Sequence, residues 1–427
     1  MLGAMPTTDS RSWLNRVRPR SRSRTTSSDQ RSPTTSRAAP SGSRACSVGD
    51  TVRCILQPTK TSSLHTMRRM PSIRVSPPFA GRRRWAGLGL VLSLVLIGAL
   101  LAAACADDPG DERLTFTFMA GFRAQSNLPF VAAYVAEQEG FFDDVNLDVT
   151  IQHSSGQGEH IRLLLSDDID LTTQPASEVI QRRADPGAPL VVVTLFGQTG
   201  DLGYAVLEDS GIESPADFAG RTVGFKSVVQ AEFLALLNAN GLSAGDVELV
   251  GVGFNPVILP EGQVDVYPVF LNNEPDILQR VMGVPIRVFQ ASDAGVPTLG
   301  VAYVVTEDLL ADDTRREALR RFLTATMRGF QFALADPAAA IEATRAFISE
   351  DADLLHERFL LDIDLANAIS DLTRANGLGW FTEAQFQALH DVLLQFGGIE
   401  HEVEVADMLD RSVLESIDEA DRTYGGG

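Results

Sequence analysis

Leu190-Val191-Val192-Val193-Thr194-Leu195-Phe196 is the stretch on which the fold turns. Seven uncharged residues, four of them β-branched, are too few for an ordinary helix and suit a strand. A strand with one wet face alternates apolar and polar residues. A continuous run implies cover on both faces, the condition of a central strand flanked by helices.

Working outward, the same reading recurs. Upstream, Leu114-Thr115-Phe116-Thr117-Phe118 has period two, and Leu128 to Gln138 has helical spacing through Phe130, Tyr134 and Val135. Leu147, Val149 and Ile151 alternate, and His160 to Leu165 is a short helix. Downstream, Thr222 to Phe225, Val247 to Val252, Val264 to Tyr267 and Ile286 to Gln290 are strands, with a helix from Gln230 to Asn238 stopped by Asn240-Gly241. This alternation predicts an α/β fold with mostly parallel sheets. After Val305 the chain turns helical. Asp312 or Asp313 caps a helix with the stripe Leu319, Phe322, Leu323, Thr326, Phe330 and Leu334; Asp336-Pro337 starts another, and Thr382 caps one running to Gln395.

The charge is unevenly placed. The 427 residues carry 36 Lys+Arg and 56 Asp+Glu, a net charge of −20; residues 1–84 hold 17 and 3 of these, leaving 19 and 53 for the rest. An acidic body argues against nucleic acid as a partner, because phosphate binding needs a basic surface. Residues 1–69 are Ser/Thr/Arg/Pro-rich and without apolar period, and are expected to be a start codon assigned too early or a disordered arm. Residues 70–104 read as a signal peptide: Arg82-Arg83-Arg84, an apolar run from Trp85 to Ala104, then Leu101-Ala102-Ala103-Ala104 before Cys105. An uncleaved transmembrane anchor is the rival reading. Cys105 is followed by a polar tether to residue 112 and resembles the lipidated cysteine of bacterial lipoproteins, although Leu101 stands one position earlier than that pattern places it. The chain has three cysteines and none after Cys105, so the body has neither a disulfide framework nor a thiolate metal site.

Motifs for common chemistries are missing. The two lysines, Lys60 and Lys226, follow no phosphate-loop glycine, and there is no G-x-S-x-G elbow and no H-E-x-x-H helix. His153, Glu159 and His160 fit no usual metal spacing, and Asp167, Asp168 and Asp170 read as a solvated acidic turn. No catalytic residue, metal or cofactor is expected.

Gly140-Phe141-Phe142-Asp143-Asp144-Val145-Asn146-Leu147-Asp148-Val149 resembles the G-[FY]-F-x-x-x-x-L-x-V segment of the NMT1/THI5-like and SsuA-like solute-binding proteins. Gly158 to Asp170 is similar to the same family's helix and strand ending in G-x-x-D, and Ile212 to Gly224 to its I-x-x-P-x-D-L-x-G-K-x-V-G stretch. Gly262 to Val266 followed by Asn272-Asn273-Glu274-Pro275 resembles the branch carrying thiamine pyrimidine precursors, with riboflavin binders nearby. Arg328-Gly329-Phe330 with Asp336-Pro337 completes the order.

The resemblance implies a two-lobed α/β fold of the periplasmic-binding-protein type II class, with a central ligand cleft and a helical C-terminal part. Lobe 1 is expected to be 113–204 plus 303–427 and lobe 2 to be 205–302, with crossings near Gly203-Tyr204-Ala205 and Gly300-Val301-Ala302-Tyr303. It also implies a monomeric, extracytoplasmic lipoprotein of an ABC importer, whose partners are a small solute, a permease with its ATPase, and the membrane through its lipid. The solute would be a thiamine pyrimidine precursor or related heteroaromatic vitamin, riboflavin included; a sulfonate, nitrate or taurine binder is the alternative. The family name also covers a fungal thiamine pyrimidine synthase using a lysine-bound pyridoxal phosphate, a histidine and a cysteine-rich iron motif. The missing cysteines and the place of Lys226 argue against that enzyme. A tethered sensor that has lost transport is a third class.

In α/β sheets ligands sit beyond the carboxyl ends of strands, next to helix N-termini. That rule selects Gln125 and Asn127 with Arg123 and Ser126, then Ser155 with Ser154, Gln174, and Gln198. From the middle of the chain it selects Lys226, Asn255, Tyr267, Asn273 and Glu274. Aromatic rings beside amides and a carboxylate suit a flat heteroaromatic ring, with Glu274 accepting from a ring amine. Phe122 and Phe225 are read as core.

Overall fold

The computed structural model describes residues 112–424. The low-complexity head, the signal peptide, Cys105 and Gly425-Gly426-Gly427 lie outside them.

A five-stranded sheet has the order β2-β1-β3-β10-β4, built from β1 (Leu114–Ala120), β2 (Leu147–His153), β3 (Leu171–Pro175), β4 (Leu190–Leu195) and β10 (Val301–Thr306). All six residues of β4 are buried. Val191 and Val193 point into one core; Leu190, Val192 and Leu195 point into the core on the other face. The double burial expected of this run is therefore observed.

Helices α1 (Leu128–Gln138) and α5 (Asp313–Ala335) cover the first face. Phe116 and Phe322 pack with ring centroids 4.9 Å apart, and Phe118 meets Tyr303 edge-on at 5.5 Å. The expected α5 stripe is buried at Leu319, Phe322, Leu323, Thr326 and Phe330. Its Gly329 lies so near α1 that a Cβ would sit 2.1 Å from the Ala132 carbonyl oxygen. Helices α2 (Glu159–Leu165), α3 (Ala176–Ala184) and, near the C-terminus, α8 (Glu383–Gln395) cover the other face. Between α5 and α8 lie α6 (Pro337–Thr344) and α7 (Leu354–Ala368).

Residues 202–290 form two smaller sheets. β5 (Leu202–Leu207) stands between β8 (Tyr267–Phe270) and β9 (Ile286–Gln290), and β6 (Thr222–Lys226) pairs with β7 (Glu248–Val252). Helix α4 (Ala231–Ala239) packs its Phe233, Leu236 and Leu237 against Tyr204, Val206 and Val223. Helix α8 also reaches this core through Val392.

The mostly parallel arrangement expected from the alternation is corrected. β1 is parallel to β2 and β3, and β6 to β7, but β10 runs antiparallel to β3 and β4, and β5 antiparallel to β8 and β9. Hydrophobic period reports which faces are buried, not which way a strand runs. The strand expected at Val264 to Tyr267 is also displaced: Val266 bridges to Val223, and the regular strand starts at Tyr267. The chain there leaves β6 to pair with β5.

Two connections join the five-stranded sheet to the smaller sheets, between β4 and β5 and between β9 and β10. They run side by side: the Gly300 N–H donates to the Gly197 carbonyl at 2.9 Å, and Gly200 N–H to Thr298 Oγ1 at 3.0 Å. A Cβ on Gly197 would fall 2.7 Å from the Gly300 Cα, so this approach requires glycine. Gly203 lies past this point, inside β5.

Candidate functional site

Loops at the carboxyl ends of β1, β2 and β3 meet at one edge of the five-stranded sheet. Gly121 N–H donates to Thr173 Oγ1 at 2.9 Å, tying the β1 loop to β3. His160 Nε2 lies 2.8 Å from Gln174 Oε1 and its Nδ1 3.3 Å from Ser154 Oγ, while Gln174 Nε2 donates to Glu178. Burial lowers the His160 pKa, with the Gln174 hydrogen bond opposing it. Ser155 turns outward and caps its own loop on Glu159, at 2.8 Å from its N–H and 2.6 Å from its hydroxyl.

The start of α1 is held from a distant part of the chain. Asp364, on α7, accepts from Leu128 N–H at 2.9 Å, Asn127 Nδ2 at 3.2 Å and Asn272 Nδ2 at 2.7 Å. Gln125 donates to Asn127 Oδ1, and Ser126 N–H donates to Glu357 Oε2 at 2.7 Å. Glu357 and Asp364 are two turns apart and share one face of α7. Burial raises the Asp364 pKa, and its three donors oppose that.

The second group of residues surrounds Lys226. Its ammonium pairs with Glu274 and lies 4.6 Å from the Phe270 ring centroid and 5.3 Å from those of Phe254 and Tyr267. Burial lowers the lysine pKa and Glu274 opposes it. Glu274 Oε2 also accepts from Phe270 N–H at 2.7 Å, and Tyr267 hydroxyl donates to the Gly253 carbonyl at 2.9 Å. Asn273 meets His356 of α7, whose other nitrogen lies 2.8 Å from Asp276. Asn255 is exposed and accepts from Val257 N–H at 3.2 Å, a local cap.

Asp201 sits where the two groups converge, just before β5. Burial pushes its carboxyl up to about 6, and Asp364, Glu274 and Glu178 add to the shift. Of the residues selected from sequence, Gln125 and Asn127 thus share one network and Lys226, Tyr267 and Glu274 another. Asn273 joins α7, Gln174 stays with His160, and Ser155 and Asn255 serve their own loops. Gln198 is used internally, donating to the Trp380 carbonyl at 2.9 Å.

Asp201, His356, Glu357 and Asp364 are missed by the sequence reading, and Asn272 enters it only as part of a motif. A pair of acids seven apart in a helix that also buries Leu360, Leu361 and Leu365 was the available signal. Phe122, read as core from the sequence, is instead 46% exposed, as Phe254 is at 67%, and each ring has a cation over it, Arg123 and Lys226 respectively. Among the described residues no cluster of three metal-ligating side chains occurs, and no helix is long and apolar enough to cross a membrane.

Sheets joined by a paired crossover, with polar and aromatic side chains from both at their junction, define the periplasmic-binding-protein fold. The chain belongs to the NMT1/THI5 like family, whose profile matches residues 127–340. It is 27% identical over 282 residues to the riboflavin-binding protein RibY of Chloroflexus aurantiacus, covering 64% of this chain and 78% of that one. It is 26% identical over 255 residues to the formylaminopyrimidine-binding protein of Halalkalibacterium halodurans, covering 59% and 76%. In fold it is similar to the periplasmic aliphatic sulphonate binding protein SsuA from Escherichia coli, with a TM-score of 0.52 at 13% identity, covering 75% of this chain and 95% of that one. The ligand binding component of an ABC-type import system from Staphylococcus aureus has a TM-score of 0.53 at 11% identity, covering 71% and 99%. Both of the sequence relatives are named for binding a small solute.

Proposed function

We propose that this chain is the extracytoplasmic solute-binding lipoprotein of an ABC importer, and that its solute is a thiamine pyrimidine precursor or a related heteroaromatic vitamin such as riboflavin. The five-stranded sheet with the C-terminal helices is one lobe and residues 202–290 the core of the other; they close around the solute by bending at the Gly197–Gly300 crossover. The closed form presents its surface to a permease, whose ATPase supplies the energy, and a lipid on Cys105 keeps the binder at the membrane.

The observation that carries this reading is the exposed ring of Phe254 beside the Lys226–Glu274 pair. A flat heteroaromatic ring stacks on such a face, while neighbouring donors and acceptors fix its edge. Lys226 already has a carboxylate partner, and Asp201 and Asp364 add negative charge. These surroundings favour a neutral or cationic ring over an anion. The names of two relatives, a riboflavin-binding and a formylaminopyrimidine-binding protein, support the same class.

Titration calorimetry with formylaminopyrimidine, hydroxymethylpyrimidine, thiamine, riboflavin and ethanesulfonate tests it. Binding of at least one heteroaromatic compound is expected. Heat from the sulfonate alone would overturn the ligand assignment. Mass spectrometry of the protein from its own cells should show a diacylated Cys105 as the first residue.

A further inference from the structure

The Tyr204 hydroxyl is buried, the residue being 3% exposed, and has no hydrogen-bond partner in the protein. Buried hydroxyls are almost always paired, and an unpaired one opposes folding. Tyr204 lies on β5, with its ring 4.7 Å from that of Phe233 on α4. It stands in the field of Glu232, in the first turn of the nine-residue α4. Oε2 of Glu232 is likewise buried and unpartnered. Ser177, in the first turn of α3, which also has nine residues, stands beside Glu232 and opposes the rise that burial gives its pKa. Ser177 and Glu232 are each only half-buried, so solvent reaches the junction of α3 and α4 that they form.

We propose that Tyr204, Glu232 and Ser177 form a polar subsite that takes an amide- or amidine-type edge of the solute. In such an edge an acceptor (a carbonyl oxygen or ring nitrogen) stands next to an N–H. The tyrosine hydroxyl donates to the acceptor, and Glu232 Oε2 accepts from the N–H. Two polar atoms that the fold leaves unpaired are satisfied together only when the solute is present. Ser177 comes from a helix on the five-stranded sheet and Glu232 from a helix on the smaller sheets, so binding there also joins the two. A sulfonate offers acceptors only and would set an anion against Glu232, which the subsite rejects. The proposal rests on the heteroaromatic-solute reading and adds to it the residues that read the ring's edge.

The test compares Tyr204→Phe and Glu232→Leu with the parent protein. Without solute, Tyr204→Phe should have an unchanged or higher unfolding midpoint, because the hydroxyl has no partner to lose. With formylaminopyrimidine and riboflavin as probes, each variant should bind the probe about tenfold more weakly, the scale of one hydrogen bond lost. A lower midpoint for Tyr204→Phe overturns the proposal, since the hydroxyl then serves the fold, for instance through a structural water. Parent-like affinity in both variants overturns the subsite while leaving the heteroaromatic reading intact. A parent protein that binds neither probe overturns both.

Discussion

Replacing Asp201 by asparagine should stabilise the protein at neutral pH. In the native fold burial lifts this carboxyl from 3.8 to about 6, with Asp364, Glu274 and Glu178 contributing. The folded chain therefore holds a proton that the unfolded chain releases. Stability from this source is full below pH 3.8 and is lost as pH rises toward 6. At about 1.4 kcal/mol per pKa unit, the loss above that window is about 3 kcal/mol. Asp201 is only half-buried, and water screening of its charge brings the expected range to about 1–3 kcal/mol. Asparagine keeps the shape and removes the titration, so Asp201→Asn should be more stable than the parent by that amount at pH 7.5. The gain should shrink to about a third at pH 4.5, where most of the native carboxyl is protonated. Urea unfolding at the two pH values measures it. A gain that does not change with pH, or a loss at pH 7.5, would refute the assignment of Asp201 to a crowded acidic junction.

The remaining expectations concern packing and pairing. Gly329→Ala forces a methyl into the Ala132 carbonyl and should destabilise by about 3 kcal/mol or more in urea unfolding, because two packed helices must separate. Glu274→Gln strands Lys226 without its carboxylate and should cost about 3 kcal/mol, whereas adding Lys226→Met should recover much of it; no recovery would show that the lysine has another role in the fold. Phe254→Ala should leave unfolding unchanged within about 0.5 kcal/mol, the ring being mostly exposed, while weakening heteroaromatic binding several-fold in calorimetry.

The elements were largely legible because their physics is local. Helix α1 begins at Leu128 and ends at Gln138 as its spacing predicts, and Asp312, Asp336 and Thr382 cap their helices by accepting backbone N–H groups. The candidate site was legible only in pieces. Lys226 and Glu274 are 48 residues apart, and Asp364 reaches Leu128 across 236 residues. No local spacing carries such a relation. Ser155 and Asn255 illustrate the converse: polar loop residues selected by the strand-end rule are satisfied by near neighbours in the chain, Ser155 by the Glu159 carboxylate and Asn255 by the Val257 N–H.

By itself, then, the sequence determined the doubly covered β4, the alternation around it, the helical C-terminal part and the charge contrast between head and body, since each depends on residue type and short-range period. Tertiary structure alone decided the reversed entry of β10, the pairing of the two crossovers at Gly197 and Gly300, and the convergence of Asp201, Asp364 and Glu274. It also decided that the Tyr204 hydroxyl is among those left without a partner. Strand direction, backbone approach and the fate of a buried proton depend on which distant segments meet, and that is fixed only when the whole chain is packed.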